Sequence, residues 1–214
     1  MKMGRVGVEI ALPAHFISMY ITTTPELDLW RGDIGFEYTL TNLLRNRSRG
    51  DILSCLIQPP YPKSILEVGC NIGNNLRELR FTGAKLVGVD PQQMALYTRP
   101  FEENTFFDRI MGTSFYLPFK KNEFDLVLLS NVLCHVAPQD FKWAAQECFR
   151  VGQKIMVVDY FSDTEEEMNF RGTRKLWKRD FTSQIIDITG TVPVFSCVLE
   201  MCDKTRPVKC VFFE

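Results

Sequence analysis

The stretch Ile65-Leu66-Glu67-Val68-Gly69-Cys70-Asn71-Ile72-Gly73-Asn74-Asn75-Leu76 decides the fold. It begins as an apolar strand, continues through an acid into a glycine-containing turn, and ends as the start of a helix. In a doubly wound α/β sheet, this junction builds the ligand crevice at the carboxyl end of a strand. Gly69 and Gly73 permit backbone torsions and a close approach that a Cβ would block. The stretch therefore predicts a cofactor lying directly on the turn, although a purely structural βα turn has the same pattern.

The turn does not match the dinucleotide fingerprint G-x-G-x-x-G, because Asn71 and Asn74 occupy the third and sixth positions of that frame. S-adenosylmethionine (SAM) carries no phosphate and does not need that fingerprint. Its ammonium group would be favoured by the Glu67 carboxylate, directly or through a water molecule. We therefore expect SAM as cofactor, with S-adenosylhomocysteine (SAH) as product, and a cofactor site that includes Glu67, Gly69, Cys70, Asn71 and Gly73.

Asp90 ends the next predicted strand, roughly 20 residues after Gly69. An acid at this spacing reaches the ribose hydroxyls in nucleotide-binding α/β folds. Asp followed by proline is also typical of a helix N-terminus, so Asp90 is predicted to bind ribose, to cap a helix starting at Pro91, or to do both. Pro91 and Gln92 are placed beside it at the cofactor site.

From residue 64 onward, short apolar runs alternate with helical segments. Strands are predicted near 64–68, 85–89, 107–111, 124–129 and 154–160, and helices near 74–80, 91–98 and 139–150. This alternation predicts crossover units and an α/β fold with a doubly wound, Rossmann-like, mostly parallel seven-stranded sheet that carries helices on both faces.

The two ends of the chain depart from this alternation. Towards the C-terminus, a helix near 173–187 is followed by strands near 192–200 and 207–213, which the short connection makes an antiparallel pair. Residues 1–58 have no βα alternation, and the spacing of apolar side chains after Pro25 predicts an N-terminal helical cap. The main α/β domain, with the cofactor site, is expected over 59–214, after a proline-rich connector.

Composition limits the classes of function. The chain has 214 residues, a net charge of −1 and 45% hydrophobic residues, which is typical of one large globular domain. It lacks the broad positive field that nucleic acid binders use. Its seven cysteines show no metal-ligand spacing and indicate free thiols in a reducing compartment. We expect a cytoplasmic monomer or homodimer without a membrane span, a metal ion or a nucleic acid partner.

Two later segments resemble motifs of class I SAM-dependent methyltransferases. In that family, the loop after the third strand faces adenine, and Gly112-Thr113-Ser114 follows the third predicted strand here. The end of the fourth strand faces the methionine part of the cofactor, and Ser130-Asn131 ends the fourth predicted strand. The resemblance implies that Thr113, Ser114, Ser130 and Asn131 contact the cofactor, although Thr113 stands where many relatives have an acid.

A closer resemblance is to the pseudaminic acid biosynthesis-associated methylase family. It is carried by the segments Leu29–Tyr38, Glu67–Leu76, Asn131–Pro138, Phe170–Gly172 and Leu176–Phe181. The chain departs from that family's pattern at Thr41 and Thr173 and in the C-terminal strands. The resemblance implies an acceptor among acidic or nucleotide-linked sugars, methylated on nitrogen or oxygen.

The candidate acceptor residues lie at both ends of the chain. His135 is the predicted general base, or a structural histidine satisfied by backbone. Arg31, Arg171, Lys178 and Arg179 are predicted to bind a carboxylate or phosphate of the acceptor, with exposed helix charges as the alternative. Trp30 and Tyr38 are predicted to fold over the cofactor as a lid, or to pack only within the N-terminal cap.

Taken together, these features predict an enzyme that transfers a methyl group from SAM to a small molecule. Two alternatives stay open: a methyltransferase acting on protein or RNA, and a SAM-binding regulator without turnover. An NAD-dependent oxidoreductase is disfavoured, because the turn lacks the phosphate fingerprint.

Overall fold

The computed structural model describes residues 23–45, 50–98, 106–170, 174–199 and 207–214. Its strands are β1 (Ser64–Val68), β2 (Lys85–Asp90), β3 (Asp108–Met111), β4 (Phe124–Ser130), β5 (Gly152–Tyr160), β6 (Glu166–Phe170), β7 (Arg174–Lys178), β8 (Pro193–Leu199) and β9 (Val208–Phe213). Its helices are α1 (Pro25–Arg31), α2 (Asp33–Arg45), α3 (Gly50–Leu56), α4 (Asn74–Glu78), α5 (Gln93–Tyr97), α6 (Pro138–Val151) and α7 (Phe181–Thr189). None of these helices is long and apolar enough to cross a bilayer.

The central sheet has seven strands in the order β3-β2-β1-β4-β5-β9-β8. β1 to β5 are parallel, whereas β9 runs antiparallel to both β5 and β8. The predicted fold class is therefore confirmed, including the antiparallel C-terminal pair and the N-terminal helices. Since the strand order reverses between β1 and β4, their carboxyl ends form the crevice where ligands bind in doubly wound sheets.

Alternation along β1 divides the core into two layers. Leu66 and Val68 pack with α6 and α7 on one face of the sheet, whereas Ile65 packs with α3 and α4 on the other. Successive side chains of a strand point to opposite faces, so a strand covered on both faces reads as a continuous apolar run. This is why β1 was recognisable from its sequence.

The helix predicted near 173–187 is wrong over its first part. Residues Arg174–Lys178 form β7, which pairs antiparallel with β6, and the helix begins only at Phe181. Ion pairs between strands support the hairpin: Lys175 Nζ lies 3.0 Å from Glu167, and Lys178 Nζ lies 2.8 Å from Glu166. Such cross-strand pairs are invisible to a helical periodicity search.

The N-terminal cap is divided at Gly32, whose N–H donates to the Asp28 carbonyl at the end of α1 (2.9 Å). The structure confirms helices after Pro25, whereas residues 1–22 lie outside the described residues. The domain boundary at residue 58 stays a prediction.

Side chains from the sheet hold α1 and α2 against its carboxyl edge. Gln92 Nε2 donates to the carbonyl oxygens of Trp30, Arg31 and Gly32 at 3.3, 3.1 and 3.0 Å. Asn71 Nδ2 donates to Thr39 Oγ1 at 2.9 Å, and Asn71 Oδ1 accepts from an Asn42 amide at 3.0 Å. The cap is therefore fixed to the two loops that follow β1 and β2.

Candidate functional site

A cavity opens between the N-terminal helices and the carboxyl ends of β1, β2 and β4. Its empty space is about 810 Å³ when the open solvent at its mouth is included. The predicted residues that line it are Trp30, Tyr38, Gly69, Asn71, Asp90, Pro91, Gln92, Thr113, Ser114, Ser130, Asn131 and His135. The structure thus brings most of the predicted cofactor set to one wall, and we call this space the cofactor cavity.

Gly69 lies directly after β1, in a turn that leaves no room for a Cβ. Its φ is +73°, and a Cβ built on it would lie 2.6 Å from Val132 Cγ2. Gly73, with φ of +86°, is close-packed in another direction, because its Cβ would lie 2.2 Å from the Phe107 ring. Both positions need glycine, but only Gly69 lines the cofactor cavity.

Asp90 joins the loop after β1 to the loop after β2. Its Oδ2 accepts the Asn71 N–H and its Oδ1 accepts the Gln92 N–H, each at 2.8 Å. Burial raises the pKa of this carboxyl to about 6, although the two amides lower it. Helix α5 begins at Gln93 with Gln92 as its N-cap, so the alternative in which Asp90 caps a helix starting at Pro91 is wrong.

Glu67 and Cys70 lie beneath the turn rather than on the cavity wall. Glu67 is 2% exposed, its Oε1 accepts from Asn75 at 2.7 Å, and its Oε2 has no hydrogen-bond partner among the described residues. Burial, assisted by the charge of Asp90, raises the pKa of Glu67 to about 8. Burial likewise raises the pKa of the Cys70 thiol well above its usual value. The electrostatic role of Glu67 towards the cofactor stays a prediction.

His135 ends a short 3₁₀ turn, Leu133–His135, that borders the cavity. Asp159 Oδ2 accepts the backbone amides of Val132, Leu133 and Cys134 at 3.0, 2.8 and 3.3 Å. The His135 ring meets the Trp30 ring edge-on, with centroids 4.6 Å apart. A buried carboxylate therefore positions the turn, and α1 supplies the aromatic neighbour of the histidine.

None of the predicted acceptor cations that the structure describes lines the cofactor cavity. Arg179 is 1% exposed, donates from Nη2 to the Val136 carbonyl at 2.8 Å, and lies over the Phe141 ring; burial lowers its pKa. The amine of Lys178 is paired with Glu166. Arg31 contributes its carbonyl to Gln92, and Arg171 lies outside the described residues.

Sequence reasoning missed part of the wall of the cofactor cavity. Thr24 accepts the Leu27 N–H at 3.1 Å as the N-cap of α1, a signal that Thr-Pro at 24–25 could have supplied. The remaining missed positions are mostly apolar and had no chemical signature in the sequence. The full set of missed lining residues is Thr24, Glu26, Leu27, Val68, Gly112, Phe115, Val132 and Val136.

Comparison with protein families gives one match over the centre of the sheet. Residues 66–154 match a family described as "Methyltransferase domain", a range that runs from β1 into β5. No curated protein matches the chain.

Solved structures with the same fold include several methyltransferases. A SAM-dependent methyltransferase of Leishmania major is 15% identical, with a TM-score of 0.65 over 88% of this chain and 81% of that one. The 1,6-didemethyltoxoflavin-N1-methyltransferase of Burkholderia thailandensis, solved with SAH and 1,6-didemethyltoxoflavin, is 15% identical, with a TM-score of 0.65 over 97% and 92%. A chain from the complex of the Haloferax volcanii Trm112 methyltransferase activator with a putative methyltransferase is 14% identical, with a TM-score of 0.66 over 90% and 98%.

At these identities the solved structures establish the fold alone, and the family match adds the kind of domain. The sheet order agrees with the fold of the solved structures. The glycine turn after β1 and the acid at the end of β2 lie within the residues that match the family. Residues 66–154 therefore match a methyltransferase domain, and the chain has the fold of class I SAM-dependent methyltransferases.

Proposed function

We propose that the protein transfers the methyl group of SAM to a small-molecule acceptor and that the cofactor lies in the cavity beside α1. The observation that carries this proposal is the placement of Asp90 and Gly69 at adjacent strand ends on one cavity wall. A carboxylate and an open glycine turn suit a ribose and a methionine chain, respectively.

The chemistry of the wall fits each part of the cofactor. The Asp90 carboxylate would accept hydrogen bonds from the ribose hydroxyls while keeping its two backbone amides. The loop at Thr113 and Ser114 would face adenine, and Ser130 and Asn131 would face the methionine part. Glu67 has a buried oxygen, Oε2, without a hydrogen-bond partner among the described residues, and would favour the ammonium group by losing its proton as the cofactor binds.

The cofactor supplies an electrophilic methyl group, so the protein's task is to align the nucleophile and exclude water. His135 lies on the cavity wall and would accept the acceptor's proton, as a general base. Trp30 packs against His135 and against Tyr38, with ring centroids 5.3 Å apart in the second pair. These rings would cover the reacting groups.

Two observations bear on the class of acceptor. The fold neighbour from Burkholderia thailandensis holds a small heterocyclic compound, which supports a small-molecule acceptor. The sequence resemblance favours an acidic or nucleotide-linked sugar, but Lys178 is paired with Glu166 and Arg179 donates to the Val136 carbonyl, and neither cation lines the cofactor cavity. We therefore propose the small-molecule class and leave acidic sugars as one member of it to be tested.

The test is methyl transfer from SAM labelled in its methyl group. The protein is incubated with a cell extract that has been separated into small-molecule, protein and RNA fractions. The proposal expects label in the small-molecule fraction, and much less label with an Asp90→Asn variant at the same low concentration of SAM. Label confined to protein or RNA would favour the alternative classes, and SAM binding without any transfer would favour the regulator.

A further inference from the structure

A neighbouring cavity shares a wall with the cofactor cavity. Glu26, Trp30 and His135 line both spaces, and the rest of the neighbouring cavity is formed by Pro25, Leu29 and Ile34, with Lys175. The shared wall is where a molecule in one space would meet a molecule in the other. Apart from Glu26, His135 and Lys175, this cavity is lined by apolar side chains.

Glu26 is the polar group on this wall whose hydrogen-bonding capacity is unmet. Its Oε2 is buried and has no hydrogen-bond partner among the residues that the structure describes. A buried carboxylate oxygen without a donor is unfavourable, and such atoms in native proteins usually receive a hydrogen bond from a ligand, an ion or water. Sequence analysis gave Glu26 no role.

The charges around the wall favour a hydrogen-bond donor over an anion. Asp140, at the start of α6, has its pKa raised by burial first and by the charge of Glu26 second, which places a second acid near Glu26. Lys175 is the lysine or arginine found among the described residues that line this cavity, and its Nζ lies 3.0 Å from Glu167. An acidic sugar in this cavity would therefore meet the Glu26 carboxylate, with Asp140 nearby, and a lysine that already has an acidic partner.

We propose that this neighbouring cavity binds the methyl acceptor and that the acceptor is an apolar small molecule whose reacting N–H or O–H group donates to the Glu26 carboxylate. This inference rests on the proposed methyltransferase function. Glu26 orients the reacting atom at the shared wall and, in this arrangement, receives the proton that leaves it in place of His135, while Pro25, Leu29 and Ile34 hold the apolar body. Its role differs from that of Asp90, which faces the cofactor cavity alone.

The experiment measures fragment binding to the SAH-loaded protein by ligand-observed NMR. The fragments form matched pairs in which a methyl group replaces the donor hydrogen: benzimidazole with 1-methylbenzimidazole, and phenol with methoxybenzene. N-acetylneuraminic acid serves as the acidic sugar. The proposal expects each donor fragment to bind at least about tenfold more tightly than its methylated partner, as one hydrogen bond to a charged acceptor implies, and more tightly than the acidic sugar.

Three variants test whether the preference for donor fragments depends on Glu26 and on the neighbouring cavity. Glu26→Met removes the acceptor oxygens and should abolish the preference, whereas Glu26→Gln keeps an amide oxygen and should retain part of it. Ile34→Trp fills the neighbouring cavity, so it should abolish fragment binding without loss of SAH binding, because Ile34 does not line the cofactor cavity.

The outcomes separate this inference from the function on which it rests. Failure of the wild-type protein to bind SAH would overturn the proposed function itself. SAH binding with no preference for donor fragments, with a preference that survives Glu26→Met, or with tighter binding of N-acetylneuraminic acid, would overturn only the assignment of Glu26 and its cavity.

Discussion

The change Asp90→Asn should separate cofactor binding from folding. Burial raises the pKa of Asp90 from 3.8 to about 6, so the ionised form is disfavoured in the folded protein by about 3 kcal/mol at neutral pH. Asparagine removes that charge, but its single side-chain oxygen can accept a hydrogen bond from only one of the two backbone N–H groups that donate to Asp90. Loss of the other hydrogen bond costs about 1–3 kcal/mol. The two effects oppose each other, and the free energy of unfolding should change by less than about 2 kcal/mol.

For cofactor affinity, in contrast, no opposing effect offsets the loss of the Asp90 carboxylate. A ribose hydroxyl that donates to a carboxylate contributes about 1.5–3 kcal/mol, so the Kd for SAH should rise by about 12- to 150-fold in the variant. Wild-type affinity should also weaken about tenfold between pH 8 and pH 5, because the carboxyl protonates below a pKa of about 6. The variant should lack this pH-dependent step.

Calorimetric titration with SAH, together with urea unfolding of the same samples, checks both parts. An Asp90→Asn protein that unfolds normally and binds SAH within about threefold of the wild-type Kd, a difference well below that of one charged hydrogen bond, would refute the assignment of Asp90 to the ribose.

Three further variants test other parts of the account. In the folded protein the pKa of Glu67 is raised from 4.5 to about 8. Its favourable contribution to the free energy of unfolding is therefore complete below pH 4.5 and is lost as the pH rises through about 8. Urea unfolding should show this loss of stability in the wild type and a flatter pH profile in Glu67→Gln. Gly69→Ala should weaken SAH binding measured by calorimetry, because the new Cβ would lie 2.6 Å from Val132. Gly83→Ala is the control: its φ of +68° imposes a similar backbone strain, but the space around it is open, so the affinity for SAH should not change. Asp159→Asn replaces a charged acceptor of three backbone N–H groups beside His135, so the free energy of unfolding in urea should fall by about 2–3 kcal/mol. The control Asp187→Asn, at an exposed position, should stay within about 0.5 kcal/mol of the wild type.

The centre of the fold could be predicted because each local signal there agrees with the sheet. Strand β1 reads as a continuous apolar run because both of its faces are covered. The acid at residue 90 and the glycine at residue 69 stand at chain positions that parallel strands bring to one edge. Their presence on one cavity wall follows from this topology.

The β6–β7 hairpin and the surroundings of the basic residues could not be predicted in the same way. Lys178 and Arg179 look like exposed helix charges in sequence, but pairing with Glu166 and contact with Val136 depend on segments distant in the chain. Burial of a full guanidinium group has no local sequence signature. The shared wall at Glu26 likewise arises only when α1 packs beside the turn that carries His135.

The most direct test of the central claim is titration of the wild-type protein with SAM, SAH and NAD, with the SAH complex then examined by crystallography. The account predicts micromolar binding of SAM and SAH, no binding of NAD, and a ribose within hydrogen-bond distance of Asp90. Absence of SAM and SAH binding, or a cofactor bound outside the cavity beside α1, would contradict it.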